Sequence, residues 1–226
     1  MESHIDLPGV GRDFKDHGIL WLTAMLNNIQ LANMTAAIAN RGYYYTPHII
    51  KEIEDEELPE KFTKPKQTTI DKKHFEPVIE GMLKVYQQGT AKSLQIKGID
   101  ICGKTGTVAN FIKVDSTRMQ LTDHSIFVAF APKDDPKIAI AVFVENGYFG
   151  NRFAGKMASL MIEKYLRDEI TRTDLENFVL RHTLEHEYEK PYAGKPFKIN
   201  RETTLETIPD EEFEELKYLK AKIDAK

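Results

Sequence analysis

Apolar residues recur at helical spacing in three parts of the chain. The first part begins near Leu20 and ends before Gly42, a residue type that favours a helix stop. The second follows Asp71, a common helix-capping residue, and Pro77 indicates that its regular part starts only near Glu76. The third covers Ala154–Ile170. Because residues three and four apart share one face of a helix, the pattern predicts three amphipathic helices. The apolar positions of the second helix are Phe75, Val78, Ile79, Met82, Leu83 and Tyr86.

Two other segments are apolar at nearly every position, as buried strands are. They cover Ser125–Ala131 and Lys137–Glu145, and the turn-forming sequence Pro132–Pro136 separates them. Neither segment has a polar face, so we expect a hairpin in a sheet that is covered on both sides. A third extended segment, Ile99–Asn110, is rich in β-branched residues and interrupted by glycine.

The last part of the chain has a different character. Residues 171–226 are strongly charged and carry helical patterns near 173–188 and 210–223. A polar stretch that contains Pro191 and Pro196 joins the two patterns. We interpret residues 171–226 as a charged, helical C-terminal appendage.

Composition and charge exclude several classes of protein. The chain has 226 residues, 41% hydrophobic and 29% charged, with a net charge of -4. This balance argues against nucleic-acid binding, which depends on an excess of positive charge. The longest apolar run, Ile138–Val144, is far shorter than the about 20 residues of a membrane-spanning helix. The first 15 residues lack a signal-peptide pattern, so we expect neither a signal nor a transmembrane segment in this chain.

The segment around Lys104 is the main candidate for chemistry, and one interpretation of it is a phosphate-binding loop. Gly98, Gly103, Lys104 and Thr105 match the pattern G-x-x-x-x-G-K-[ST]. Such a loop must be followed by a helix whose N-terminus holds phosphate. Here the residues between the two glycines look like a strand, and Gly106 and its successors are poor openers of a helix. A nucleotide hydrolase is therefore the less favoured alternative.

The second interpretation places Lys104, Thr105, Gly106 and Thr107 on a strand at the rim of an active site. K-T-G is the third motif of penicillin-binding proteins and serine β-lactamases. In this interpretation the Lys104 ammonium attracts a substrate carboxylate, and Thr105 and Thr107 offer hydroxyl donors to it. Gly106 leaves room for the acyl donor beside the strand. The amide of Thr107 is a candidate arm of an oxyanion hole.

The wider sequence supports the second interpretation by resemblance. The block from Gly89 through Thr107 resembles class B penicillin-binding proteins of the elongation-type group often called penicillin-binding protein 2. The likeness covers roughly residues 5–170. The other segments that carry it are Asp6–Gly9, Gln30–Asn33, Asn40–Gly42, Tyr44–His48, His124–Pro132 and Lys137–Gly147.

This resemblance implies a fold and a function. The implied fold is α/β of the α+β type, an antiparallel sheet flanked by helices, as part of a penicillin-binding or β-lactamase-like transpeptidase domain. Residues 1–170 would form the C-terminal portion of that domain. The implied activity is that of a peptidoglycan D,D-transpeptidase without metal or cofactor, with peptidoglycan stem peptides and β-lactams as ligands. The full-length parent is expected on the periplasmic side of the inner membrane.

The sequence departs from the family in two places. The family attacks its substrate with the serine of S-x-x-K and also carries S-x-N, both upstream of the segment that resembles Asp6–Gly9. No serine of this chain begins either motif; the serines are Ser3, Ser93, Ser116, Ser125 and Ser159. Residues Trp21–Asn28 replace the Gly-Gln-Gly and Thr-Pro pattern that the family shows there. We therefore expect the substrate-carboxylate side of the site without its nucleophile, which leaves a non-catalytic interaction module as another alternative.

Three further features complete the expectations. His182 and His186 have a spacing that could serve a metal, but we favour a solvated helix face because zinc sites need three or four ligands. Cys102, the only cysteine, is interpreted as a buried, unreactive thiol. The strand Lys137–Glu145 is apolar on both faces, and in the family its outer edge pairs with upstream strands. We expect self-association, by pairing of that exposed sheet edge or by exchange of the Leu20–Asn40 helix, or else poor solubility.

Overall fold

The fold is that of a computed structural model, which describes residues 27–53, 56–114, 116–188 and 205–224. The predicted helix start at Leu20 and the unusual segment before Asn27 lie outside these residues. Six helices and nine strands are present in the described part of the chain. In chain order they are α1 (Asn28–Ala39), β1 (Tyr43–Tyr44), α2 (Glu60–Thr63), β2 (Lys66–Gln67), α3 (Phe75–Gln87), β3 (Cys102–Val108), β4 (Phe111–Val114), β5 (Thr117–Gln120), β6 (His124–Ala131), β7 (Ile138–Val144), α4 (Ala154–Arg167), α5 (Thr173–Arg181), β8 (His182–Thr183), β9 (Glu206–Thr207) and α6 (Asp210–Asp224).

A three-stranded antiparallel sheet in the order β3-β6-β7 forms the centre of the fold. The predicted hairpin across Pro132–Pro136 is confirmed, since Ala131 pairs with Ile138 and Ser125 with Val144. Strand β3 pairs with β6 so that Lys104 faces Val128 and Thr107 faces Ser125. Among the described residues, β3 and β7 are the two edges of this sheet.

Helices cover both faces of the sheet, as the apolar strands predict. On one face Phe127 and Ala129 of β6 pack with Ala158 and Ile162 of α4 in the largest buried cluster. On the other face Leu31 of α1 packs on the remaining side chains of β6, chiefly Ile126 and Val128. Helix α3 lies against the first part of β3, where Ile79, Met82 and Leu83 contact Cys102 and Phe130. The predicted mixed fold with an antiparallel sheet and flanking helices is therefore confirmed.

The helices α1 and α3 start in different ways. Helix α1 begins with a capping box, in which the Asn27 side chain accepts from the amide of Gln30 at 2.9 Å and the Gln30 side chain accepts from the amide of Asn27 at 3.0 Å.

The sequence predicts Asp71 as the cap of α3, but its side chain makes no capping hydrogen bond. A 3₁₀ turn over Lys72–His74 comes first, and α3 begins at Phe75. Pro77 is tolerated because it lies in the first turn, where amides have no helical partner.

The charged tail packs on the sheet-and-helix body. Arg172, just before α5, donates to the Glu163 carboxylate of α4 at 2.8 Å, and the Glu163 side chain is fully buried. Farther along, α6 packs against α5, with Phe213 buried and Lys220 paired with Glu176 at 2.6 Å. Helices near the predicted positions are thus present in the tail. In the described part of the chain, no helix has the length and apolarity needed to cross a bilayer.

Candidate active-site strand

The four residues singled out from the sequence lie consecutively on the edge strand β3. Side chains alternate along a strand, so Lys104 and Gly106 belong to one face and Thr105 and Thr107 to the other. Lys104 is exposed, and its ammonium donates to the carbonyl oxygen of Thr105 at 2.5 Å. Among the residues that the structure describes, no carboxylate lies within ion-pair distance of Lys104.

Thr105 has a hydroxyl neighbour from outside the strand. The turn that follows α3 brings Thr90 beside β3, and the two hydroxyl oxygens are 2.9 Å apart. The side-chain amide of Asn151 donates to the carbonyl oxygen of Thr90 at 2.7 Å and so fixes that turn. The turn itself is tight, because a Cβ on Gly89 would lie 2.9 Å from the Cα of Val85. Sequence reasoning did not assign Thr90 or Asn151 to the site.

The loop between β7 and α4 presses on the backbone of β3. A Cβ added to Gly150 would lie 2.6 Å from the carbonyl oxygen and 2.8 Å from the nitrogen of Gly106, so only glycine fits there. The amide of Gly150 donates to the Thr107 hydroxyl at 3.3 Å. On the neighbouring strand, the Ser125 hydroxyl donates to the carbonyl oxygen of Phe149 at 3.1 Å. The loop therefore contacts the backbone of β3 and orients one of its two threonine hydroxyls.

The glycines at positions 103 and 106 of β3 differ in what requires them. A Cβ on Gly103 would lie 2.8 Å from the Tyr86 ring and 3.0 Å from the Phe127 ring, so packing excludes a side chain. The atoms nearest to a Cβ on Gly106 would belong to Ile126, at 3.4 Å or more, which is ordinary contact. Gly106 also has no positive φ angle. Neither packing nor backbone conformation therefore explains the glycine at position 106.

The geometry does not favour the phosphate-loop alternative. Lys104 and Thr105 lie within a strand, and no helix N-terminus follows them as phosphate binding requires. Gly98 lies at a cavity of about 240 Å³ beside α3, and neither Lys104 nor Thr105 lines that cavity. Cys102 is fully buried as expected, and burial raises the pKa of its thiol to about 12, which keeps it protonated and unreactive.

The expectation of a solvated helix face around His182 and His186 is wrong. Helix α5 ends at Arg181, and His186 lies in a separate 3₁₀ turn, Glu185–Glu187. The Glu187 side chain is fully buried, and His186 Nε2 lies 3.0 Å from its Oε1. Within the described ranges no cluster of three potential metal ligands is found.

Comparison with known proteins agrees with this geometry. Residues 8–165 match the sequence model of the penicillin-binding protein transpeptidase domain. The chain belongs to this transpeptidase family. The family match includes the whole central sheet, the strand that carries Lys104 and most of the helix α4, and it ends before α5. Sequence and structure thus agree on a class B penicillin-binding protein relationship for this part of the chain.

Individual relatives of this family align over about three fifths of the chain. Stage V sporulation protein D of Bacillus subtilis is 32% identical over 148 residues, which are 62% of this chain and 22% of that protein. The peptidoglycan D,D-transpeptidase MrdA of Acinetobacter baumannii is 32% identical over 152 residues, with 61% of this chain and 22% of MrdA covered. Among solved structures, PBP2 of Pseudomonas aeruginosa superposes with a TM-score of 0.51 and 30% identity over 64% of this chain and 31% of the other. The chain spans about a fifth of the length of the two curated relatives.

Proposed function

We propose that β3 is the strand that binds the substrate carboxylate in a peptidoglycan D,D-transpeptidase, and that this chain corresponds to the C-terminal portion of such a domain over residues 1–170 with an appendage over residues 171–226. Lys104 supplies the positive charge, and Thr105 and Thr107 supply hydroxyl donors. The amide of Thr107 serves as an arm of the oxyanion hole. Stem peptides of peptidoglycan and β-lactams are the ligands. The parent protein works on the periplasmic side of the inner membrane.

One observation carries this proposal: Gly106 is a glycine that neither packing nor backbone conformation requires, beside an exposed lysine. A methyl group at that position would make only ordinary contacts with Ile126, so the fold itself does not require a glycine there, whereas a ligand that lies against the strand would. The exposed Lys104 charge beside it suits the carboxylate at the end of an acyl-D-alanyl-D-alanine peptide. The hydroxyls of Thr105 and Thr107 lie on the other face of this edge strand, where they contact the Thr90 hydroxyl and the Gly150 amide.

Substituting Lys104 or Gly106 should separate binding from folding. We expect Lys104→Ala and Gly106→Ala each to change the free energy of unfolding by no more than about 0.5 kcal/mol, because neither site packs in the core. Both should abolish the shifts that an acyl-D-alanyl-D-alanine peptide causes in the amide NMR spectrum at Thr105 and Thr107. Lys97→Ala, another lysine outside the strand, is the matched control and should retain these shifts. A large fall in stability of Lys104→Ala would instead indicate a structural lysine.

We further propose that the chain self-associates through the outer edge of β7. Among the described residues, β7 pairs only with β6, and it is apolar on both faces. An unpaired apolar strand is a template for pairing with a second copy. Light scattering at micromolar concentration should therefore show a mass above 25.9 kDa that falls on dilution. A monomer at all concentrations would contradict pairing through β7.

A further inference from the structure

A buried carboxylate in the tail contacts the loop that supports the candidate site. Glu187 lies beyond the family match, and its side chain is fully buried. Its carboxylate accepts hydrogen bonds from the hydroxyls of Thr122 and Tyr148. His186 Nε2 lies 3.0 Å from the same oxygen that Tyr148 contacts. Burying a carboxylate costs free energy unless its oxygens are hydrogen-bonded, and these contacts to Thr122 and Tyr148 offset part of that cost.

The loop that contains Tyr148 has a backbone that needs such support. Tyr148 and Asn146 both have positive φ angles, 66° and 51°, in a region that non-glycine residues seldom adopt. Each such residue costs on the order of 1–3 kcal/mol and persists only where neighbouring contacts hold it. The amide of Tyr148 donates to the carbonyl oxygen of Asp123 at 2.9 Å, and its phenol donates to Glu187. Burial and the hydrogen bond to Glu187 raise the pKa of the Tyr148 phenol, so it remains a donor.

The same loop continues directly to β3. Two residues after Tyr148, the amide of Gly150 donates to the Thr107 hydroxyl at 3.3 Å. One residue later, Asn151 donates to the carbonyl oxygen of Thr90, whose hydroxyl is 2.9 Å from that of Thr105. A chain of direct contacts therefore runs from the tail through Tyr148 to both threonines of the strand.

We propose that Glu187 is a positioning residue: by holding Tyr148 it fixes the β7–α4 loop, and the loop in turn orients Thr105 and Thr107. The inference rests on the proposed role of these threonines in binding a carboxylate. Glu187 in the tail would thus have a structural role at the candidate site, although the tail lies beyond the residues that match the transpeptidase domain. Glu187 itself does not touch the ligand.

Amide hydrogen exchange by NMR tests the inference without any ligand. In Glu187→Gln one acceptor oxygen becomes an NH₂ donor, so the side chain can accept from only one of the Tyr148 and Thr122 hydroxyls. We expect the Gly150 amide to exchange about tenfold faster or more, the loss expected when a buried hydrogen bond is left unsatisfied. The amide of Phe127, in the central strand β6, should keep its rate. Asp210→Asn makes the same chemical change at an exposed position of the tail and should alter neither rate.

Two results would overturn the inference. One is an unchanged Gly150 rate in Glu187→Gln; the other is an equal acceleration at Gly150 and Phe127, which means that Glu187 supports general stability only. If Glu187→Gln does not fold, Tyr148→Phe serves as the second variant, because it removes only the phenol hydroxyl. The exchange rates of the Gly150 and Phe127 amides are then compared by the same criteria. The exchange measurement contains no ligand. A failure of peptide binding would therefore overturn the proposed function without changing the exchange result.

Discussion

Replacing Arg172 by methionine should lower the free energy of unfolding by about 3–5 kcal/mol, because it leaves the buried Glu163 carboxylate without its main partner. Arg172 Nε donates to Glu163 at 2.8 Å, and the hydroxyl of Thr171 donates to the other carboxylate oxygen at 2.6 Å. The guanidinium also donates to the carbonyl oxygens of Leu94 at 3.1 Å and Ser159 at 2.9 Å. One side chain thus joins α4, the segment before β3 and the start of α5.

The effect of the Arg172 substitution should depend on pH. Burial alone raises the pKa of Glu163, but the hydrogen bonds from Thr171 and Arg172 and the arginine charge hold the pKa below its usual value. A carboxyl group with a lowered pKa in the folded state stabilises the protein above its unfolded pKa of about 4.3. This contribution is lost as the pH falls through the folded-state pKa. The difference between wild type and Arg172→Met should therefore be largest near neutral pH and shrink in acid.

The free energies of unfolding of three variants, measured by urea denaturation, test this prediction. Lys64→Met breaks an exposed pair with Glu60 and should cost no more than about 1 kcal/mol. Combining Arg172→Met with Glu163→Leu removes both charges and should recover much of the loss, since no unpaired charge stays buried. If Arg172→Met costs no more free energy of unfolding than Lys64→Met, Arg172 is not the main partner of the buried Glu163 carboxylate.

Gly150→Ala should be the second damaging substitution, with a loss of about 1–3 kcal/mol from overpacking. The new methyl group would meet backbone atoms, at 2.6 Å from the carbonyl oxygen of Gly106 and 2.8 Å from that of Ile126. Backbone cannot move aside as the end of a flexible side chain can. We also expect the hydrogen bond from the residue 150 amide to Thr107 to break, so the Thr107 amide signal should shift in the NMR spectrum.

Gly81→Ala is the matched control for Gly150→Ala. Gly81 lies in the exposed middle of α3, and a Cβ there would have no neighbour within 4 Å. Alanine should therefore raise the free energy of unfolding by roughly 0.5–1 kcal/mol. Thermal denaturation should shift the two midpoints in opposite directions. A Gly150→Ala protein as stable as wild type would show that the loop does not press on β3.

Local patterns predict most of the fold but not all of its boundaries. The hairpin of β6 and β7 follows from two apolar runs around Pro132–Pro136, and its burial on both faces follows from the missing polar face. The helix α3 starts at Phe75, next to the start near Glu76 that Pro77 predicts. The predicted capping by Asp71 is wrong, because its side chain makes no capping hydrogen bond and a 3₁₀ turn comes first. Such details depend on the path of the chain into the helix, which a residue type alone does not fix.

Some residues of the candidate site can be predicted from the sequence, and others cannot. Lys104 and its three successors are adjacent in sequence and match a motif, so the pattern of residues alone is enough to propose them. Thr90 and Gly150 reach the strand from distant segments, and a single threonine or glycine in a turn carries no recognisable signal. Glu187 lies in a polar, charged run that predicts exposure. Its burial arises only when the tail packs on the Tyr148 loop, because no local pattern encodes that contact.

We propose that this chain holds the carboxylate-binding strand of a transpeptidase and that it contains no serine nucleophile of the S-x-x-K type. The most direct test is the amide NMR spectrum of the chain with millimolar penicillin G, recorded again after dialysis. We expect shifts at Thr105, Gly106 and Thr107 that dialysis reverses completely, because covalent catalysis requires an activated attacking group and no serine here begins S-x-x-K. Shifts that persist after dialysis, or a spectrum in which these three amides do not respond at all, would contradict the account.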